Sequence, residues 1–402
     1  MHRPVRRAPD RRHSGPRRTP SIIARLFTVS VWTHCTGAIA TAYALEAAST
    51  FASYAAPGAW RWGLAIGVWA HALLVFPIIG RAVVLDAPRS WFKAQVVERL
   101  YLAHWSAAFL SLFFLAPAAL VAAIMAAVGS AHAGFFAPFA LAVHGVLLVA
   151  GLLGTGLALR FRVERSELAH RAVPRAFDGY RIAHLSDLHV GTWTSELANR
   201  WVAATNALAA DLVVVTGDLV TSGDRWLDRI AEVVGALQGR DGVIVCLGNH
   251  DWFADGERLT TLLRERGVRV LRNEAIVVTR GGERLVVAGV DDTWTGRANL
   301  DEALATEHGM PQVLLAHDPD LFRAAVVKGV PITLSGHTHG GQVGLPFFPR
   351  LLNVSMLAHD YHLGLYCRDD SLLYVSPGLG TSGPPVRLGV PAAVVLHELR
   401  AR

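Results

Sequence analysis

Charged side chains are scarce in this chain. Only 17 % of its 402 residues are Asp, Glu, Lys or Arg, against roughly a quarter in an ordinary soluble domain. With 52 % hydrophobic residues and a mean hydropathy of +0.34, part of the chain is expected to sit in lipid. Cysteine is scarcer still. Cys35, Cys246 and Cys367 are odd in number and far apart, which excludes a disulfide framework and a zinc knuckle. Cys246 lies in the apolar run GVIVCLG and is expected as a buried strand residue. Residues 176–402 contain no internal repeat, no low-complexity segment and no Lys/Arg run. The pI near 9.6 is therefore not the footprint of a nucleic-acid binder, and no nucleic-acid partner is expected.

Four stretches lack Asp, Glu, Lys and Arg altogether: 26–45, 62–80, 105–128 and 135–159. Each approaches or exceeds the roughly 20 residues that span a bilayer. The pattern predicts an N-terminal transmembrane domain of four helices over 26–160, preceded by a basic disordered tail (1–25). A linker (161–177) follows, then a catalytic domain (178–402). Basic residues crowd the tail, the segment from Arg81 to Arg99 and the segment from Arg160 to Arg175. Positive-inside bias then makes the chain a multi-pass protein of the cell membrane, with both termini and the catalytic domain cytoplasmic. Arg17-Arg18 gives a weak contrary hint of a twin-arginine export signal. His34, His71 and His144 fall inside the apolar stretches, where a neutral helix–helix contact is the ordinary role and an intramembrane function the sharper one.

Beyond residue 176 the pattern changes. Short β-rich runs (YRIAHLS, DLVVVTG, GVIVCLG, RLVVAGV, QVLLAH, ITLSGH, LLYVSP, AAVVLHEL) alternate with amphipathic stretches such as ELANRWVAATNAL. That alternation predicts an α/β domain whose strands are buried on both faces. The chemistry-bearing residues fall just past these runs: Asp187 and His189, Asp218, Asn249 and His250, His317, then His337 and His339. Strand ends are where open α/β folds gather ligand groups. The set holds carboxylates, imidazoles and an amide but no thiolate, which suits Mn, Fe or Zn. It is too large for one tetrahedral ion. Two divalent ions sharing a carboxylate would use it all, clamping a phosphoryl oxygen and lowering the pKa of a bridging water.

The blocks S-D-L-H (186–189), G-D-L-V (217–220), G-N-H-D (248–251), A-H-D (316–318) and G-H-T-H (336–339), in this order, resemble the signature blocks of the calcineurin-like metallophosphoesterases. The likeness covers about 178–399. The tail from G-H-T-H-G-G-Q through Y-V-S-P-G-L-G-T resembles a bacterial, membrane-anchored branch. The resemblance implies a β-sandwich flanked by helices, with a dimetal site at the strand ends. It implies Asp187, His189 and His339 on one ion, Asn249, His317 and His337 on the other, and Asp218 bridging both. His250 would be catalytic rather than a ligand, donating a hydrogen bond to the phosphoryl group or a proton to the leaving group.

Other residues have plainer expectations. His184 is a packed strand residue. Asp251 orients its neighbours or caps its loop, and Asp291 and Asp292 form a turn or support the ligands. Gly340, Gly341 and Gln342 can bring backbone close to an anion. Phe347 and Phe348 form either a packed loop or an apolar lip suited to an amphipathic substrate. The expected activity is hydrolysis of a phosphodiester or phosphomonoester, extended by the predicted anchor to a lipid-linked or envelope-related substrate and a bilayer partner. A non-catalytic membrane receptor or scaffold reusing the fold, and a nuclease, are the competing classes.

Overall fold

Strands with almost no charge must be covered on both faces, and the strand-rich part of this chain covers them with one another and with helices. The computed structural model describes residues 6–7, 90, 92–129, 136–306 and 309–402. The chain divides into two units: Met1–Gly15, Leu157–Ser382 and Arg387–Arg402 form one, Pro16–Gly156 and Gly383–Val386 the other.

In the first unit, two sheets face each other. One has the order β2-β13-β3-β4-β5-β6, with β2 at Phe161–His170, β3 at Arg181–Leu185, β4 at Leu212–Thr216, β5 at Val243–Cys246, β6 at Arg269–Val270 and β13 at Ala392–Ala401. The other has the order β1-β11-β12-β10-β9-β8-β7, with β1 at Arg6–Arg7, β7 at Glu274–Arg280, β8 at Glu283–Gly289, β9 at Val313–Leu315, β10 at Ile332–Ser335, β11 at Gly364–Arg368 and β12 at Ser371–Val375. Successive strand residues point to opposite faces. Ile182, Val214 and Ile244 accordingly meet Val287, Leu315 and Leu334 between the sheets. Ala183, Val213, Val215 and Val245 point the other way. They pack under helices α3 (Leu197–Asn206), α4 (Leu227–Gly235) and α5 (Gly256–Arg264). Phe322, Ala325 and Ala303, from α7 (Phe322–Val327) and α6 (Leu300–Leu304), cover the outside of the second sheet. Each fully buried Leu, Ile or Val contributes about 1.5–3 kcal/mol. Cys246 and His184 are buried strand residues, as the sequence predicts.

The stretch 161–177 contains strand β2, paired in parallel with β13 over its whole length. Its charges (FRVERSELAH) hide the strand pattern from sequence reading. They are tolerated because β2 is the edge of its sheet, paired on one side only among the described residues.

In the second unit lie helices α1 (Arg99–Ala127) and α2 (Phe136–Leu157, whose last residue belongs to the first unit). Gly151 permits their close approach: a Cβ there would lie 2.9 Å from the Ala103 carbonyl oxygen. His144 Nε2 lies 3.3 Å from His104 Nδ1. The predicted four-helix transmembrane domain is not supported. The stretches 26–45 and 62–80 lie outside the described residues, as do His34 and His71. The other two fall in α1 and α2, yet among the described residues no helix is long and apolar enough to cross a membrane. These runs lack Asp, Glu, Lys and Arg but are interrupted by other groups: Ser106, Ser111 and Pro117 in α1, His144 and Thr155 in α2. The multi-pass topology and the cytoplasmic side drawn from it lose their footing with those spans.

Parallel pairing sets the level of the strand ends. Leu185 is in register with Val215, Thr216 with Cys246, and Leu315 with Leu334. The loops after β3, β4, β5, β9 and β10 therefore leave their sheets at matched heights.

Candidate metal centre

All eight residues singled out by the sequence sit two to four positions past one of those strand ends. Five of them hold left-handed backbone: Asp187 (φ 52°), His189 (42°), Asp218 (54°), His337 (70°) and His339 (51°). Such conformations are unfavourable for residues with a Cβ and gather at functional sites. Two glycines make the crowding possible. A Cβ at Gly217 (φ 79°) would lie 2.6 Å from the Gly248 nitrogen, and one at Gly336 would lie 2.4 Å from Asp187 Oδ2.

The side chains converge in overlapping groups. Asp187, His189 and His339 can place ligand atoms within 4.8 Å of one another, as can Asp218, His317 and His337. A third grouping joins His189, Asp218 and His250. Asp218 Oδ2 is 3.5 Å from His189 Nε2 and 3.1 Å from His317 Nε2, so one carboxylate oxygen faces both sides. His189 Nε2 and His339 Nε2 are 3.1 Å apart, and His339 Nε2 is 3.4 Å from Asp187 Oδ1. His337 Nδ1 is 3.2 Å from His317 Nε2. Asn249 Oδ1 and His339 Nδ1 are buried without a hydrogen-bond partner.

Electrostatics favour lone pairs over protons. Burial holds His189 and His337 down, each to about 3, and His339 well below its ordinary range. Neutral imidazole is the ligand form. Burial also pushes the Asp187 carboxyl up, to about 7, with the charge of Asp218 adding to it. Burial opposes the charge on His317, but Asp218 holds its proton well above the usual value. His317 and His250 hold Asp218 well below the carboxylate range, against burial. A proton thus bridges His317 and Asp218 where a cation would serve the same purpose. The unpartnered Asn249 oxygen, the facing imidazole nitrogens and a shared carboxylate form a donor set that fits divalent metal.

A second layer fixes the orientation of the first. His317 Nδ1 donates to the Thr216 carbonyl at 2.7 Å, which leaves Nε2 for the centre. His250 Nδ1 donates to the Thr221 carbonyl at 2.6 Å, which likewise frees Nε2. Asp251 accepts four backbone N–H groups, from Gly248 (2.9 Å), Asp218 (3.0 Å), Leu219 (2.8 Å) and Val220 (3.3 Å). Asp291 accepts from Trp252 Nε1 and Arg272 Nε, both at 2.9 Å, and Asp292 Oδ2 accepts from the Thr295 backbone. Neither belongs to the ligand groups, and Asp292 Oδ1 is buried without a hydrogen-bond partner.

Several residues escaped sequence reading. Arg387 is a fully buried guanidinium donating to the Gly380 carbonyl through Nη2 at 2.6 Å. The Gly380 N–H in turn bonds the Asp187 carbonyl. An arginine amid apolar residues was the available signal. His184 bonds Thr216 Oγ1 at 2.8 Å and lies 3.2 Å from His397 Nε2. This places it behind the centre through Thr216 rather than within it. Phe253 packs on His250, while Trp294 and His359 flank His337.

A buried cluster of imidazoles and carboxylates at the strand ends of a helix-flanked sandwich is the ligand chemistry of a metal-dependent hydrolase. Comparison with known proteins narrows the class. Residues 180–341 match the calcineurin-like phosphoesterase family. An uncharacterized metallophosphoesterase of Aquifex aeolicus is 30 % identical over 272 residues, covering 64 % of this chain and 99 % of the relative. "Transmembrane protein with metallophosphoesterase domain" of Danio rerio is 34 % identical over 266 residues, 62 % of this chain, and the Bos taurus protein of that name is 32 % identical over 284 residues, 65 % of this chain. The chain spans only 59 % and 62 % of the length of those two relatives. It belongs to the calcineurin-like phosphoesterase family, whose members use divalent metal ions, and its strand-rich unit is a metal-dependent phosphoric ester hydrolase domain.

Proposed function

We propose that the protein hydrolyses a phosphodiester or phosphomonoester with two divalent ions. Asp187, His189 and His339 would hold one, Asn249, His317 and His337 the other, and Asp218 would touch both. The observation that carries this reading is the position of Asp218 Oδ2, within 3.5 Å of His189 Nε2 and 3.1 Å of His317 Nε2. Bound there, divalent ions would supply Lewis acidity, neutralise phosphoryl charge and lower the pKa of water; Mn, Fe or Zn suit the ligands.

The remaining work falls to the chain's own groups. His250 keeps Nε2 toward the centre because Nδ1 is committed to the Thr221 carbonyl. It is placed to protonate a departing alkoxide or to hold a phosphoryl oxygen. Asp251 keeps the Asp218 and Gly248–Asn249 loops at fixed separation. The substrate class proposed is a lipid-linked or envelope-related phosphoester. Support comes from the apolar character of the chain and from the two relatives named as transmembrane proteins.

Purified full-length protein, stripped with a chelator and reloaded with Mn, Fe or Zn, should regain turnover of a soluble aryl phosphodiester. Turnover that ignores both chelation and reloading would refute the reading, as would an inert protein that binds metal normally.

A further inference from the structure

The loop that leaves the last two ligands is built in a way that neither packing nor backbone preference explains. Leu345, Pro346, Phe347 and Phe348 form a tight turn, closed by the Phe348 N–H on the Leu345 carbonyl at 3.0 Å. Proline stands at its second position, and Phe347 at its third has φ 67°. That position of such a turn calls for glycine, and a bulky side chain there is an outlier. Burial gives nothing in return, since Phe347 is 94 % exposed. Phe348 is 62 % exposed, and Leu351, Leu352 and Leu357 are also more than half exposed. Clustered apolar exposure of this kind marks an interaction surface, and an observed backbone outlier points toward function.

The loop is rigidly tied to the centre. Gly344 and Asn353 pair across its base, the Val354 N–H bonds the Val343 carbonyl at 3.0 Å, and Asn353 Nδ2 donates to the Pro349 carbonyl at 2.7 Å. At its near end the Gln342 N–H bonds the His339 carbonyl. Beyond its far end, the ring of His359 lies 5.3 Å from that of His337. Both ends of the loop are therefore anchored next to candidate metal ligands, His339 at one and His337 at the other.

The chemistry of the tip selects the occupant. Protein interfaces surround their apolar core with a polar, hydrogen-bonding rim. Residues 345–352 (LPFFPRLL) offer little of that: two prolines lack an N–H, and Arg350 already donates to the Leu365 carbonyl. No Asp or Glu occurs anywhere in 343–359, so nothing there repels an anionic surface. An apolar tip without acids suits the boundary between headgroups and acyl chains, where aromatic and aliphatic side chains partition favourably.

We propose that the loop Leu345–Leu357 inserts its Phe347–Phe348 tip into the surface of a lipid bilayer, and so presents phosphoesters attached to hydrocarbon chains to the centre beside it. This inference rests on the hydrolase reading above and adds to it the way the substrate is delivered.

The test uses the full chain reconstituted in phosphatidylcholine–phosphatidylglycerol vesicles. Cys35 and Cys367 are replaced by Ser, and an environment-sensitive fluorophore is attached through Phe347→Cys; buried Cys246 is left in place. The label should shift to the blue, resist aqueous iodide and be quenched by brominated acyl chains. A label open to iodide in vesicles overturns the proposal. So does a label already buried in concentrated lipid-free protein, which would make a second copy the occupant.

A second arm compares bis(p-nitrophenyl) phosphate in solution with a hexadecyl p-nitrophenyl phosphodiester embedded in the vesicles. Phe347→Ser/Phe348→Ser should lower turnover of the embedded diester about tenfold or more, given the partition energy of two aromatic side chains. The soluble diester should change less than about twofold. Equal losses on both substrates, or none, overturn the inference while leaving the hydrolase reading intact. A parent protein inert toward both overturns the hydrolase reading, and the fluorescence still judges the loop.

Discussion

Asp251 is a brace that can be removed without substituting a proposed ligand. Its two carboxylate oxygens accept four backbone N–H groups across two loops, those of Gly248, Asp218, Leu219 and Val220, at 2.8–3.3 Å. The residue is fully buried, so Asp251→Ala leaves those donors without water close by. An orphaned buried donor costs about 1–3 kcal/mol, and some are recovered by relaxation or an admitted water. Counting two lasting orphans gives a destabilisation of about 2–6 kcal/mol, a large share of an ordinary domain's stability. For a unit of this size that corresponds to a fall in Tm of about 4–24 °C. Asp251→Asn should be only partly better, because one oxygen becomes an NH2 group aimed at other donors. Thermal unfolding of the full chain, followed by near-UV dichroism with metal saturating, measures this. Both variants should also bind metal more weakly, since the Asp218 and Asn249 loops lose their common anchor. An Asp251→Ala protein that unfolds within about 1 °C of the parent and keeps its metal would refute the brace.

Further outcomes follow from the same geometry. His250→Ala should keep its metal and lose about 10²–10⁴-fold in kcat, with the loss smaller for nitrophenyl esters than for alkyl esters; a uniform loss would make His250 a phosphate-positioning group, and lost metal would make it a ligand. His317 holds its proton well above the usual value beside Asp218, so metal must displace that proton. Apparent affinity should then rise about tenfold per pH unit for each proton released, and titration calorimetry in buffers of different ionisation enthalpy should detect the release. In the metal-free chain the raised His317 contributes stability that is complete below the ordinary histidine range and lost as pH rises through the raised value, while the lowered Asp218 contributes stability present above the ordinary carboxylate range and lost as pH falls through its own. Gly336→Ala should destabilise the fold and empty the centre, because its Cβ would overlap Ser186 Oγ and lie 2.4 Å from Asp187 Oδ2; a stable, metal-loaded variant would show that those loops yield more easily than their packing implies.

The strand-rich unit was legible because period-two burial and strand-end ligands leave short-range marks. Runs such as LVVVT and VIVC can only be strands covered on both faces, and each deposits its polar residue at the same edge. The ligand residues stood out because polar groups directly follow apolar runs. What the sequence hid was long-range or masked by charge. Strand β2 reads as a linker because its edge position tolerates Arg and Glu. Arg387 looks like a surface residue until its carbonyl partners at Gly380 and Val390 come together. The buried pair His184 and His397 lies 213 residues apart in sequence. The membrane domain is a different case: runs free of Asp, Glu, Lys and Arg still hold His, Ser, Thr and Pro, and among the described residues no helix is long and apolar enough to cross a membrane.

In the proposed centre two cations share Asp218, and metal analysis of the purified full chain, in parallel for wild type and Asp218→Asn, counts them. The wild type should hold about two divalent ions per chain, and the variant should lose both bound metal and aryl phosphodiester turnover. A single ion in a fully active wild type, or an Asp218→Asn protein that keeps both ions and its rate, would contradict this sharing.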